Sequence, residues 1–421
     1  MKLKPPTALR KHKLRGLIAA GVMVAGVSSL VLTQSAPAYA DPTEQLVAVG
    51  SDTIQDVYNQ FALDLGSNSL GSYNATNPVT GAQNEIITPV DGTAGENCSF
   101  ARPDGSGPGL GALENSIGGA ESGGTAPLPA AGCVDIARSS SGPNSTGPGT
   151  GNYTGTNAIQ FVPFALDAVT GAIGPAAGGT PFTADSGDAN GDTVATTTVT
   201  SQLPAAVEDF TQADLTTLYE NCGTVTEGGV TFWPQGSSVA EPAGAQTIDL
   251  YIPQLGSGTE KFWAKETGNW TATTPAACVH DTIINGALTS ANDGGITFSV
   301  EEHDGTDVAT DPLGYTPFSI AQWIAQNNGH NDRRHGAVLQ QINATAPLTT
   351  TGHLNTSFPF TRDVYSVVSL TRLQNTSDPL HALLDGTGST VCQDAGEITS
   401  YGFATLGAAC GEIIAANTAS P

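Results

Sequence analysis

The chain has 421 residues, 39% of them hydrophobic and only 13% charged, with 51 glycines and 26 prolines. Its formal charge of −25, from 39 acidic residues against 14 Lys and Arg, excludes a nucleic-acid partner, because no basic patch can be drawn from so few dispersed cations. The length exceeds what one compact core holds and points to two lobes or two domains.

Lys2, Lys4, Arg10, Lys11, Lys13 and Arg15 make a basic start, Leu17 to Leu32 is uncharged and mostly apolar, and Ala38-Tyr39-Ala40 offers a small-x-small cleavage site. That order predicts a secretory signal peptide over residues 1–40, with the mature chain starting at Asp41. An uncleaved anchor is the alternative, although the apolar run is short for a membrane span. Six of the 14 basic residues leave with the signal and all 39 acidic residues stay, so the expected mature charge is −31. No cysteine stands at the cleavage point, so no lipid anchor is expected, and a soluble, extracellular or cell-envelope protein is. A negative surface opposes steering of an anion, but screening acts over about 8 Å at physiological salt, so local donors can override the global sign.

The mature chain opens on VAVGSDTIQDVYNQF, Val47 to Phe61: an apolar strand, a Gly-Ser-Asp-Thr turn and a helix. Helix starts carry unpaired N–H groups and a partial positive charge, so this turn is either a cap or an anion site. Pro103 to Asn157 is rich in Gly, Ser, Pro and Thr and reads as long surface loops around one island, CVDIARSSSGPNS. AIQFVPFALDAVT follows as a buried strand, and FTQADLTTLYENC as a helix with Thr211 as its N-cap. TIDLYIPQLGSGTEKFWAKET repeats the opening order of strand, turn and helix. SIAQWIAQNNG and GAVLQQIN read as short helices and RDVYSVVSL as a strand. Strands alternating with helices give an α/β class.

Cys98, Cys133, Cys222, Cys278, Cys392 and Cys410 all fall in the mature part. An even count behind a secretion signal predicts three disulfides, and nearest-neighbour pairing (Cys98–Cys133, Cys222–Cys278, Cys392–Cys410) is the simplest of the pairings open. With no Cys-x-x-Cys, a metal role for them is weak. DSGDANGD, Asp185 to Asp192, hints at a calcium loop out of EF-hand register. HNDRRH, His330 to His335, reads as a solvated loop before it reads as a metal or second anion site. No Gly-x-Ser-x-Gly or His-Glu-x-x-His occurs, so no enzyme is expected.

Three turns share one design, with glycine and small hydroxyls where a strand ends: Gly50–Thr53, Ala137–Gly142 and Gly256–Trp263. VGSDTIQDVY, DIARSSSGP, GSGTEKFW and the late FTRDVYSVV occur in the order found in the PstS-like, phosphate-binding branch of the periplasmic solute-binding proteins, and the chain resembles that family over most of residues 45–410. The resemblance implies a two-lobed type II, Venus-flytrap fold with mixed sheets and Gly-rich loop insertions. Lobe 1 would take residues 41–160 and 364–421 and lobe 2 residues 161–363, with crossings near Gln160–Phe164 and Arg362–Val367. It also implies a dehydrated phosphate in the cleft, delivered to an ABC-type permease; a monomer with no cofactor is expected.

Carried over by position, Ser51 and Thr53 match the first helix start with Asp52 between them, Ser139 matches the second-turn serine, and Ser257, Gly258 and Thr259 match Ser-Gly-Thr. The arginine expected four residues before Ser-Gly-Thr falls on Pro253, and the acidic partner of the second turn falls on Ser140. Arg138, beside the serine run, offers a replacement guanidinium, or else forms an ion pair. Asp52 is either a cap or the acceptor of a hydrogen phosphate proton. Arg362 and Asp363 read as an internal ion pair of the crossing strand. Micromolar affinity needs about 8 kcal/mol net, within reach of several charge-assisted hydrogen bonds at about 1.5–3 kcal/mol each. An extracellular scavenger uncoupled from any permease, or a phosphatase on the same fold, are the other readings.

Overall fold

The apolar run Leu46–Gly50 (β1) is buried along its whole length because each face meets its own core. Leu46 and Ala48 pack with Ile54, Val57 and Tyr58 on one side, while Val47 and Val49 pack with Leu110, Leu113 and Tyr73 on the other. Such two-sided burial is what a parallel sheet demands of its strands. This is a computed structural model, and it describes residues 46–66, 69–78, 80–89, 98–118, 126–143, 158–176, 181–185, 193–268, 270, 276–292 and 294–413. The expected signal peptide, and residues 186–192 of the candidate calcium loop, lie outside the described residues.

After β1 come α1 (Gln55–Leu65), β2 (Leu70–Ser72), β3 (Ile86–Ile87), β4 (Phe100–Ala101), α2 (Ser106–Ser116) and β5 (Ile136–Ser139). The middle of the chain gives β6 (Ile159–Ile173), the antiparallel pair β7 (Pro181–Asp185) and β8 (Thr193–Thr197), α3 (Gln212–Tyr219), β9 (Val225–Glu227) and β10 (Val230–Pro234). Next are β11 (Gln246–Tyr251), α4 (Gly258–Glu266), β12 (Val279–His280), α5 (Thr306–Thr310), β13 (Gly314–Ser319), α6 (Ile320–Asn327) and β14 (Val338–Leu339). The chain closes with β15 (Thr361–Ser369), α7 (Leu370–Gln374), α8 (Pro379–Leu384), α9 (Thr390–Gln393), α10 (Ala395–Ser400) and β16 (Ala404–Thr405).

The main sheet runs β2-β1-β5-β15-β6-β13-β11-β10-β9, with β12 beside β11 and with β14 and β16 beside β6. β2, β1 and β5 are mutually parallel at one end, and β10, β11, β12 and β13 form a parallel group at the other. Between them β15 and β6 run antiparallel to each other along Ile159–Ala168 and Thr361–Ser369, and Val169–Ile173 then continues against β13. The chain is therefore a mixed α/β fold of two halves, joined through the two long central strands.

Local expectations hold at several elements. Thr211 caps α3 in a full capping box with Asp214, and the cysteines pair as nearest neighbours, Cys98–Cys133, Cys222–Cys278 and Cys392–Cys410. Two expectations fail. The Gly-rich stretch after Pro103 is not all surface loop: Ser106–Ser116 is a buried helix. Its glycines serve closeness, since a Cβ on Gly109 would stand 2.6 Å from the Gly50 Cα. GAVLQQIN is not helical either; Val338 and Leu339 pair with Ile173 and Ala172 as a short strand, because the free side of β6 supplies ladder partners.

Burial also fixes how stability depends on pH. Asp249 is pushed up to about 8 by burial and then by the adjacent Asp311 carboxyl, and Asp307 up to about 7 by burial. Both carboxyls are neutral in the folded core at mildly acid pH, whereas the unfolded chain ionises them near the ordinary value of 3.8. Stability is thus fully present below that value and declines as pH rises through the folded pKa values. Calorimetry should give a higher Tm at about pH 5 than at about pH 8.5; the opposite order would show that these acids are charge-paired.

Candidate functional site

The opening turn does not cap α1. The N-cap position is Ile54 and no side chain accepts a cap hydrogen bond there, so Ser51, Asp52 and Thr53 are left to face the interior, all of them buried. Ser51 Oγ lies 3.1 Å from Ser140 Oγ of the second turn. Thr53 Oγ1 lies 3.0 Å from Glu302 Oε1 and 2.8 Å from His303 Nε2.

The second turn splits its three candidates. Arg138 is fully buried, and its guanidinium donates to Ser51 O, Ala48 O, Gly50 O, Tyr73 O and Ser72 Oγ. Those five acceptors exhaust its five N–H groups. The expected ligand role does not fit this geometry, and neither does an ion pair: Arg138 is a strap around the end of β1. Burial pulls its pKa down to about 10, which still leaves it charged at neutral pH. Ser139 turns into its own loop, with Oγ donating to Ser141 O at 2.7 Å. Ser140 points inward, 3.1 Å from Ser51 Oγ and 3.2 Å from Ser106 Oγ, and Ser106 Oγ also accepts from Ser140 N.

In the third turn Ser257 is the cap of α4, accepting from Thr259 N and Glu260 N at 3.1 Å. Gly258 is pressed against the second turn, since a Cβ there would sit 2.1 Å from Ser140 Oγ and 2.5 Å from Ser106 Oγ. Thr259 N–H donates to Glu302 Oε1 at 3.0 Å, and Thr259 Oγ1 accepts from Arg362 Nη2 at 2.8 Å. The starts of α2 and α4 are tied as well, with Gly107 N donating to Gly256 O. The three turns therefore meet in one buried place: Ser51, Ser140, Ser106, Gly258 and Thr259 follow one another in contact, and Thr53 and Thr259 are bridged by Glu302 Oε1 and Arg362 Nη2.

Four residues of this place were not read from the sequence as site residues. Ser106 lies in a stretch whose composition reads as loop. Glu302 and His303 belong to no motif. Arg362 reads from the sequence as an ion pair with Asp363, its neighbour on the strand; it pairs instead with Asp167 of the adjacent strand, Nη2 to Oδ2 at 2.9 Å, because neighbouring residues of a strand point to opposite faces. It also reaches Thr259, and its Nη1 is buried with no hydrogen-bond partner among the described residues.

Charge in the site is uneven. Burial, then the Glu302 carboxylate, push Asp52 well above the carboxylate range. Burial pushes Glu302 up too, but Asp52, His303 and Arg362 outweigh it and hold Glu302 well below that range. Of the two carboxyls, Asp52 is the one whose environment favours the proton and Glu302 the one whose environment favours the charge. Asp104 nearby is raised to about 7 by burial and by Glu302. HNDRRH divides: His330 stacks on Tyr401 at 4.1 Å, while His335 faces Asp304 at 3.5 Å.

No family model matches the chain and no curated protein does. Solved structures that match include a substrate-binding protein of Clostridium perfringens with bound phosphate, at 12% identity and TM-score 0.44 over 86% of this chain and 99% of that one. An ABC-type phosphate transport receptor of Vibrio cholerae matches at 13% identity and TM-score 0.41, over 86% of this chain and 99% of that one. At TM-scores of this size, function has to be read from the site itself.

The strap predicts a structural phenotype. Arg138→Ala leaves several buried carbonyls without donors, at about 1–3 kcal/mol each, so urea denaturation should show a loss of at least about 3 kcal/mol. A fully stable variant would return Arg138 to the list of free cations. Gly258→Ala should instead keep most stability in the same assay while rotating the Ser140 and Ser106 hydroxyls out of place.

Proposed function

We propose that the chain is a secreted binding protein for inorganic phosphate or a similar protonated oxyanion, held between the two halves of the fold. One observation carries this reading. Hydroxyls from segments far apart in the chain, Ser51 and Thr53, Ser106, Ser140 and Thr259, converge with a buried guanidinium whose Nη1 is unpaired among the described residues. Small hydroxyls, a helix N-terminus and an arginine are the donors a tetrahedral anion needs. An anionic oxygen is already accepted at this place, because Glu302 Oε1 takes both Thr259 N–H and Thr53 O–H.

In this reading Arg362 supplies the charge that the sequence assigned to Arg138. The shared carboxyl pair supplies selectivity: ionised Glu302 accepts the O–H of hydrogen phosphate, and Asp52, which keeps its proton, donates. Sulfate has no proton to offer and meets a bare carboxylate instead. Lobe 1 comprises residues 41–160 and 364–421 and lobe 2 residues 161–363, and closure brings α2 and α4 together over the ligand. Delivery to an ABC-type permease follows if the protein stays at the cell surface, and scavenging follows if it does not. The donors bind and orient without a positioned nucleophile–base pair, which favours binding over phosphatase chemistry; a chromogenic phosphate ester would remain uncleaved.

Isothermal titration should show one phosphate per chain, with sulfate at least tenfold weaker. Absence of heat with phosphate, arsenate and sulfate alike would refute the reading. Arg362→Lys keeps a cation beside Asp167 but loses the fork, and should cost phosphate affinity at least tenfold while the fold melts normally. Glu302→Gln should narrow the preference for phosphate over sulfate, a ratio that a purely structural glutamate would leave alone.

A further inference from the structure

We propose that Asp52, Glu302 and His303 form a binding site for one divalent transition-metal ion, adjoining the hydroxyl turns. His303 Nε2 lies 3.4 Å from Glu302 Oε1 and 3.8 Å from Asp52 Oδ1, and one ligand atom from each of the three side chains fits within a mutual spread of 4.8 Å. In a tetrahedral site with bonds of about 2.0–2.2 Å, neighbouring ligand atoms stand about 3.3–3.6 Å apart. The three side chains are thus placed close to ligating distance, on segments 250 residues apart in sequence.

Burial separates this cluster from ordinary surface acids. Relative exposure is 5% for Asp52, 0% for Glu302 and 1% for His303. Of the three ligand atoms so placed, Asp52 Oδ1 has no hydrogen-bond partner among the described residues, and an unpaired buried carboxylate oxygen is costly unless a cation satisfies it; His303 Nε2 and Glu302 Oε1 also meet Thr53 Oγ1. The imidazole is held in place by neighbours: its ring meets Phe318 edge-on at 5.9 Å, and Gln326 Nε2 donates to the His303 carbonyl at 2.9 Å. His303 also keeps a left-handed backbone, φ 62°, which a residue with a Cβ adopts at some cost.

The donor set identifies the class of ion. One imidazole and two carboxylates suit Zn²⁺, Mn²⁺ or Fe²⁺, whereas Ca²⁺ wants six to eight oxygens and Mg²⁺ an octahedron of oxygens. Thr53 Oγ1, 2.8 Å from His303 Nε2, marks the side on which the cluster faces the anion donors. The proposal does not depend on phosphate binding and is tested without phosphate.

The mature protein, treated with chelator in phosphate-free buffer, is equilibrated with Zn²⁺ or Mn²⁺ alone, and bound metal is counted by mass spectrometry after gel filtration. One equivalent of Zn²⁺ per chain and a higher Tm are expected, with affinity lowered about 100-fold in both His303→Gln and Glu302→Gln. No stoichiometric metal in the wild type would overturn the site. Unchanged affinity in both variants would also overturn it and place the ion elsewhere, such as at His335 and Asp304. Should either variant fail to fold, anomalous scattering from zinc-soaked wild-type crystals decides: density must lie among the three side chains, and a peak anywhere else rejects the assignment.

Discussion

The buried ion pair between Arg362 on β15 and Asp167 on β6 is the contact on which the rest of the structure depends. Asp167 is fully buried and its carboxylate is saturated: Oδ2 accepts from Arg362 Nε and Nη2, and Oδ1 from Ser319 Oγ and Ala321 N at the start of α6. A buried pair of this kind contributes little net stability, but loss of one partner costs about 3–5 kcal/mol because the other charge stays behind. It joins the two strands that connect the halves of the sheet, and it aims the remaining guanidinium edge at Thr53 and Thr259. Fold and site share one interaction.

Much of the architecture was legible because it rests on local chemistry. The two-sided burial of Leu46–Gly50 shows in an unbroken apolar run, and the Thr211 cap shows in the Thr-x-x-Asp spacing. The disulfides follow from even count and order. What failed is equally physical. Gly107, Gly109 and Gly111 read as loop on propensity, yet the missing Cβ of Gly109 is what lets α2 lie against β1. Val338 and Leu339 carried an apolar pattern too short to tell helix from strand, and the exposed side of β6 decided it.

The site was half legible. Turn glycines and hydroxyls marked where the backbone would approach a ligand, but not which way each side chain faces. Ser140 points in while Ser139 closes its own loop, and Ser257 is spent on its helix. Arg138 illustrates the limit best: an isolated cation beside a serine run suggests a ligand, and only the arrangement of five nearby acceptors shows it to be a strap. Glu302 and His303 come from a loop with no motif and reach the site through tertiary packing alone.

The acidic character of the protein bears on how such a site works. With Glu302 held ionised near the donors, while Asp52 and Asp104 are pushed towards the neutral form, a fully ionised anion would enter against like charge. A guest that brings its own positive counterpart, either a proton shared with Glu302 or a cation between the carboxyls, removes the conflict. A site lined by arginines alone accepts any oxyanion of the right size, whereas one that pairs donors with carboxyls accepts only those arriving with a positive charge to share. On the proposed reading, selectivity would therefore come from the acids as much as from Arg362.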